Sequence, residues 1–195
     1  ALVAGSLVGL ESEPVSAAPV PAPKVLVLYD STGPWAFLGE VYAQQTANLV
    51  GHFGSATTRK VSSYTSGLIG SYSAAIYVGS TYDEPLPDAF LADVASTTKP
   101  VLWAGSNIWQ LTAKNPNFIY DYGWMWGYFD PSVVTSVTYK GVNLDRSPLD
   151  GGGIMNYYSV DPAKAQVLAT ANRPDGTTFP WAVRSKNLTY VGEIP

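Results

Sequence analysis

Three short polar stretches hold the residues best suited to chemistry, and each follows an apolar run. Asp30-Ser31-Thr32-Gly33 follows Lys24–Tyr29, the stretch GSTYDEPLP (79–87) follows AAIYV, and GSNIWQL (105–111) follows PVLWA. Open α/β sheets place ligands at the carboxyl ends of their strands. Three such strands side by side would bring Asp30, Thr32, Ser80, Tyr82, Asp83, Glu84, Asn107 and Trp109 to one rim. Carboxylates, amides and aromatic faces suit sugars, because hydroxyls meet planar polar groups while pyranose rings stack on aromatics. The candidate ligand-binding set is Asp30, Thr32, Tyr82, Asp83, Glu84, Asn107 and Trp109. The bland alternative is that all are capping and turn residues, since a place at a strand end is a weak warrant by itself.

Other chemistries fit less well. The hydroxyl-rich turn after Tyr29 has the look of a flavin-phosphate loop, but Pro34 has no N–H to donate, Trp35 replaces a further hydroxyl and Asp30 would repel a dianion. A GxGxxG fingerprint and a Walker lysine are absent. The turn therefore reads as a helix start, with Ser31 or Thr32 as cap and Pro34 in the first turn. No cofactor is expected. The single histidine, His52, lies near a helix end, so a His-rich zinc site is excluded and a Ser-His-Asp triad would have to use it. Ser106 in G-S-N lacks the G-x-S-x-G frame. With no cysteine, thiolate metal sites, disulfides and Cys nucleophiles are excluded. Paired carboxylates remain, at Asp83/Glu84 and at Asp145/Asp150, but glycosidase chemistry needs a set separation that a sequence does not display. Acidic turns are usually only turns.

The elements that must position these residues follow from patterning. Lys24–Tyr29, Ala74–Val78 and Pro100–Ala104 are continuous apolar runs, as expected for strands buried on both faces of a parallel sheet. Trp35–Phe53 is helical, with Leu38, Val41, Tyr42, Gln45 and Leu49 on one buried face. Thr57–Val61 is a polar strand near an edge, Gly67–Tyr72 a brief helical turn, Pro87–Ser96 a helix, and Ser106–Leu111 the start of another. This rhythm predicts a parallel α/β sheet with right-handed crossovers and flavodoxin-like strand order. From about 116 to 195 the chain is β-rich. The aromatic run FIYDYGWMWGYFD (118–130) leads to strand candidates at Val133–Tyr139, Met155–Val160, Ala165–Ala171, Phe179–Arg184 and Leu188–Val191, which add antiparallel strands to the sheet edge. The aromatic run is a core or a domain seam rather than an exposed partner surface.

Composition bounds the class. The chain has 195 residues, 46% hydrophobic and 13% charged, with net charge −4 and no basic cluster, which argues against nucleic acid as partner. Residues 1–23 read as the remnant of a secretory signal peptide with an Ala/Pro-rich linker, so export is expected. No later stretch reads as a membrane span. Residues 24–195 form one α/β domain.

The motifs VLVLYDSTGPWAFLGEVYAQQTANLVGHFG, AAIYVGSTYDEPLPDAFLADV, KPVLWAGSNIWQL, YKGVNLDRS and FPWAVRSKNLTYVGEIP together resemble the front region of secreted bacterial polysaccharide-deacetylase-like proteins, over about Lys24 to Pro195. The resemblance implies a region that precedes a deacetylase-like barrel. It also implies a glutamine-amidotransferase-like α/β fold with a strand-end elbow near Gly105-Ser106-Asn107. The departures matter. The amidotransferase Cys is missing, no Glu or His partner is evident, and one histidine cannot supply a deacetylase metal site. On this reading the chain is a non-catalytic accessory half of an exported carbohydrate-active protein, with the catalytic domain missing or beyond Pro195. Its partners are a polysaccharide or that neighbouring domain. Two alternatives stand beside it: a hydrolase in its own right using Asp83 or Glu84, and a structural or interaction module.

Overall fold

The computed structural model describes residues 21–146 and 153–194. Residues 1–20 of the leader expected over 1–23, and Asp150, lie outside the described residues. The elements run β1 (Lys24–Tyr29), α1 (Ala36–Val50), β2 (Ser55–Lys60), two 3-10 turns (Val61–Ser63, Leu68–Ser71), β3 (Ala74–Gly79), α2 (Asp88–Ser96), β4 (Val101–Gly105), α3 (Ile108–Lys114), α4 (Phe118–Tyr122), β5 (Met125–Asp130), β6 (Ser136–Tyr139), β7 (Val142–Asp145), β8 (Ile154–Tyr158), β9 (Gln166–Asn172), β10 (Thr178–Ser185) and β11 (Leu188–Val191).

Nine strands form one sheet in the order β2-β1-β3-β4-β11-β10-β9-β6-β7. The first five are parallel, and β10, β9, β6 and β7 continue the sheet in antiparallel fashion. The β2-β1-β3-β4 order is the flavodoxin-like one. The β-rich half joins the sheet through its last strand: β11 runs parallel beside β4, with Tyr190 paired to Trp103. A separate antiparallel pair, β5–β8, lies against the carboxyl end of β11, where Met155 N–H donates to Gly192 O at 3.0 Å.

Alternation sorts the strand side chains to two faces. On one face Leu26, Leu28, Tyr77, Trp103, Leu188 and Tyr190 meet α2, α3 and α4 in the main core, which also takes Phe118, Tyr122 and Trp124 from the aromatic run. Tyr120, Tyr128 and Phe129 of the same run are exposed, so its burial is divided. On the other face Val25, Val27 and Val78 meet α1.

Helix α1 differs from expectation in both its cap and its buried face. Trp35 is the N-cap residue and makes no side-chain cap bond, so neither Ser31 nor Thr32 caps the helix. The buried residues are Gly39, Ala43 and Val50, not the stripe through Leu38, Val41, Tyr42, Gln45 and Leu49. Close approach explains the inversion. A Cβ on Gly39 would stand 2.2 Å from the Asp30 carbonyl oxygen, so only the smallest residues can face the sheet there. Phe37, Val41 and Leu49 are turned outward, with Leu49 67% exposed, while Leu38 and Tyr42 are half-buried at the edge of the contact. Strand β7 was not expected; its four residues are exposed and it is held by pairing with β6 across the turn Lys140-Gly141.

Candidate functional site

The carboxyl ends of β1, β3 and β4 do converge, and a buried polar network ties them together. Asp30, the residue directly after β1, is wholly buried. The Tyr77 hydroxyl donates to its Oδ1 at 2.5 Å and Thr81 N–H to its Oδ2 at 2.7 Å. Asn107 Nδ2 donates to the Tyr77 hydroxyl and to Thr81 O, both at 2.8 Å. Burial pushes the Asp30 carboxyl up to about 7, against the lowering pull of the Tyr77 and Thr81 donors, with the nearby Glu84 charge adding to the rise. The Tyr77 hydroxyl is held well above its ordinary value by burial and by Asp30.

Asn107 stands where β4 turns into α3, in left-handed conformation with φ 74°. A sharp strand-to-helix turn of this kind presents the nucleophile in other α/β enzymes. Here it presents a wholly buried amide whose Nδ2 donates to its neighbours while Oδ1 has no hydrogen-bond partner among the described residues. The elbow expected near Gly105-Ser106-Asn107 is thus a structural brace.

The loop after β1 answers the phosphate question. Ser31 N–H and Thr32 N–H donate to the two carboxylate oxygens of Glu84, at 3.2 and 3.1 Å, and the Thr32 hydroxyl bonds the same carboxylate. The amides that would cradle an anion are occupied by a carboxylate from the loop after β3. Gln110 fixes that loop in turn, donating to Glu84 O at 2.7 Å and accepting from Leu86 N–H at 3.1 Å. Among the described residues, no group of three or more His, Cys, Asp or Glu is placed to hold a metal ion.

Three of the seven candidates are therefore interior: Asp30, Glu84 and Asn107 shape the rim without facing solvent. Thr32, Tyr82 and Asp83 are exposed and Trp109 is half-buried. Tyr82, Asp83 and Trp109 form one unit. Trp109 Nε1 donates to Asp83 Oδ1 at 3.1 Å, and the Tyr82 and Trp109 rings lie 4.7 Å apart. Asp83 adopts φ 60°, a conformation that costs a non-glycine residue energy and sets the loop that carries Tyr82. Trp126 of β5 extends the row, 5.3 Å from Trp109. The result is a ledge of three mutually tilted aromatic rings, Tyr82 exposed and Trp109 and Trp126 half-buried against the main core, with carboxylate and hydroxyl groups beside it and no Lys or Arg among its members.

Sequence reasoning missed Tyr77, Gln110 and Trp126. The phenol of Tyr77 carried a usable signal, because a tyrosine inside a buried apolar strand must find a hydrogen-bond partner. Trp126 carried none; only the packing of β5 against α3 brings it to the rim.

Two clefts lie elsewhere. A small one of about 190 Å³ sits at the ends of β3, β4 and β11, between Ser80, Ser106, Glu193 and Phe129. A larger one, about 740 Å³, opens at the opposite end of the sheet between Thr97, Asp121, Arg184 and Lys186. Its two cations make internal contacts: Lys186 is 3.9 Å from Asp121 and rests over the Tyr122 ring, and Arg184 Nε donates to Thr189 Oγ1 at 3.2 Å.

No protein-family model and no curated protein matches the chain. It is similar to the crystal structure of a ThuA-like protein from Bacteroides uniformis, at 13% identity, covering 94% of this chain and 86% of that one, with a TM-score of 0.59. It is also similar to part of an exo-β-1,4-mannosidase from Opitutaceae bacterium strain TAV5, at 13% identity, covering 88% of this chain and 31% of that one, with a TM-score of 0.55. At such identities the likeness shows the fold alone, an amidotransferase-like α/β sheet.

Proposed function

We propose that the chain is a non-catalytic α/β domain of an exported, polysaccharide-deacetylase-like carbohydrate-active protein, and that it binds glycan on the Tyr82–Trp109–Trp126 ledge. One observation carries the reading: the Tyr82, Trp109 and Trp126 rings stand in a row at the strand-end rim, with Trp109 hydrogen-bonded to the Asp83 carboxylate, while Asp30, Glu84 and Asn107 are buried beneath. Asp30, the group whose protonation lies nearest neutrality, is sealed inside. Sugars are served well by this arrangement, since a ring stacks on Trp109 or Tyr82 while Asp83 and Thr32 meet hydroxyls. The absence of cations from the ledge favours neutral or amino-bearing sugars over uronates. The mannosidase named above, a β-1,4-mannoside-acting protein by its name, carries the same fold as a minor part of a longer chain, which supports an accessory role.

The test is a glycan array followed by titration calorimetry on the tightest hit, with β-1,4-mannan among the probes. Trp109→Ala is expected to weaken binding roughly tenfold or more, as loss of a central aromatic anchor does, while the melting temperature stays near that of the wild type. Saturable binding that Trp109→Ala and Tyr82→Ala leave intact would remove the ledge from the site. A hydrolase remains the second reading. Turnover of any glycan that Asp83→Asn abolishes would favour it, because Asp83 is the exposed carboxylate of the pair Asp83/Glu84.

A further inference from the structure

Three segments lead from the aromatic ledge to the small cleft at the ends of β3, β4 and β11. Tyr82 follows Ser80 by two residues, Trp109 follows Ser106 by three, and Trp126 precedes Phe129 by three. Each ledge residue is thus no more than about 7–11 Å of chain from a residue that lines the cleft. The β5–β8 ribbon aligns the last pair. In a regular strand, residues three apart point to opposite faces. Here a bulge between Trp126 and Tyr128 adds one residue, so Trp126 and Phe129 stand opposite Tyr157 and Met155 and share a face. Phe129 is 49% exposed, and its ring takes the space that a Cβ on Gly153 would need.

The cleft is framed by fixed parts. A Cβ on Gly79, Gly105 or Gly192 would stand 2.6, 2.7 or 2.4 Å from a neighbouring carbonyl oxygen, so these three strand ends meet as bare backbone. Ser106 is pinned by its main chain: its N–H donates to Gly79 O at 2.9 Å and its carbonyl accepts from Trp103 Nε1 at 2.8 Å. Its hydroxyl makes no hydrogen bond among the described residues. Glu193 is held through one oxygen by Arg146, a side chain only 9% exposed that also donates to Val134 O at 2.9 Å. The second Glu193 oxygen has no partner among the described residues. A buried guanidinium thus orients a carboxylate beside the cleft and leaves half of it open.

Building on the reading of the ledge as a glycan surface, we propose that the cleft is a second sugar subsite, and that the ligand is a polysaccharide chain long enough to lie from Tyr82 across Trp109 and Trp126 to Phe129 rather than a single sugar. The two ends carry the same chemistry. Trp109 stands beside Asp83 on the ledge, and Phe129 lines the cleft together with Glu193. Phe129 offers a sugar its ring face, while the Ser106 hydroxyl and the open Glu193 oxygen accept from sugar hydroxyls. A volume of about 190 Å³ suits one pyranose unit. Carboxylate oxygens at both ends favour hydroxyl or amino donors on the chain over acidic groups.

Calorimetric titration of the full chain with size ladders of chito-, manno- and cello-oligosaccharides, from one to six units, tests this. Wild-type affinity for the ladder that binds is expected to rise roughly tenfold or more from the disaccharide to the longest member. Phe129→Ala is expected to keep the disaccharide affinity and lose that gain. Ser106→Ala removes a hydroxyl that bonds nothing in the free chain, so the fold is untouched, and it is expected to lose roughly threefold for the long members alone. Trp109→Ala is expected to weaken every length. A wild-type affinity that is level from the disaccharide upward overturns the proposal, and so does a gain with length that Phe129→Ala and Ser106→Ala both retain. Short-sugar binding that Trp109→Ala removes, with no gain in length, sinks the cleft and keeps the ledge. No binding at any length sinks both, so the two readings are told apart.

Discussion

Replacing Asp30 by Asn isolates the energetic cost of the buried network. The Asp30 carboxyl moves from an ordinary 3.8 to about 7 on folding, chiefly because burial disfavours its charge. A raised folded-state value means that the native chain holds a proton the unfolded chain has released. Stability from this group is therefore fully present below about pH 4, declines as pH rises, and is lost above about pH 7. A shift of roughly three units corresponds to about 4 kcal/mol. For a chain of this size that equals roughly 8–16 °C in melting temperature. Asn keeps the shape and cannot ionise. Its altered hydrogen bonds to Tyr77 and Thr81 add an offset that does not depend on pH. Other carboxylates titrate in both proteins and cancel in the difference. Urea unfolding of wild type and Asp30→Asn at intervals from pH 4 to pH 9 should give a stability difference, wild type minus variant, that falls by about 4 kcal/mol up to pH 7 and is flat beyond. A difference that stays level across this range would show that Asp30 ionises as easily in the native state as in the unfolded chain, and the buried network would have to be redrawn.

Two further substitutions probe the frame. Gly39→Ala places a methyl group against the Asp30 carbonyl and must push α1 from β1; the expected loss is about 1–3 kcal/mol, read as a lower urea midpoint, and an unchanged midpoint would mean that α1 does not approach so closely. Arg173→Ala breaks the ion pair with Asp130, in which both side chains are mostly buried. Burial alone would raise Asp130, but the Ser132 donors and then Arg173 hold it below the usual carboxylate range. Its stabilisation is thus present at neutral pH and lost as pH falls through the folded value. The expected cost is roughly 2–3 kcal/mol at pH 7, shrinking in acid, and a cost that is equal at pH 3 and pH 7 would assign it to the packing of Arg173 on Phe179 instead.

Strands β1, β3 and β4 were legible because burial on both faces leaves a continuous apolar run, as Val25–Tyr29 does in β1. The buried face of α1 was not legible. Hydrophobic periodicity points to the large residues, whereas close packing at Asp30 selects the small ones, Gly39 and Ala43. Strand β7 escaped notice because VNLD is exposed on all sides and owes its form to the ladder with β6. The insertion of β11 beside β4 is a long-range pairing with no local pattern. At the rim, the strand-end rule led to Asp30, Glu84 and Asn107, but sequence could not say that these turn inward. That depends on Tyr77, Thr81 and the backbone amides of Ser31 and Thr32, which supply the partners that make burial tolerable. Trp109 and Asp83 sit 26 positions apart, and their hydrogen bond arises only when the loops after β3 and β4 meet.

The central claim is that the aromatic ledge, not the buried carboxylates, meets a ligand. The most direct measurement is calorimetric titration of wild type, Trp109→Ala and Asp30→Asn with the best glycan from an array. The account predicts saturable binding to the wild type, a loss of roughly tenfold or more in Trp109→Ala, and near-wild-type affinity in Asp30→Asn. Full affinity in Trp109→Ala together with loss in Asp30→Asn would contradict it, placing the ligand within the strand ends and the ledge outside the site.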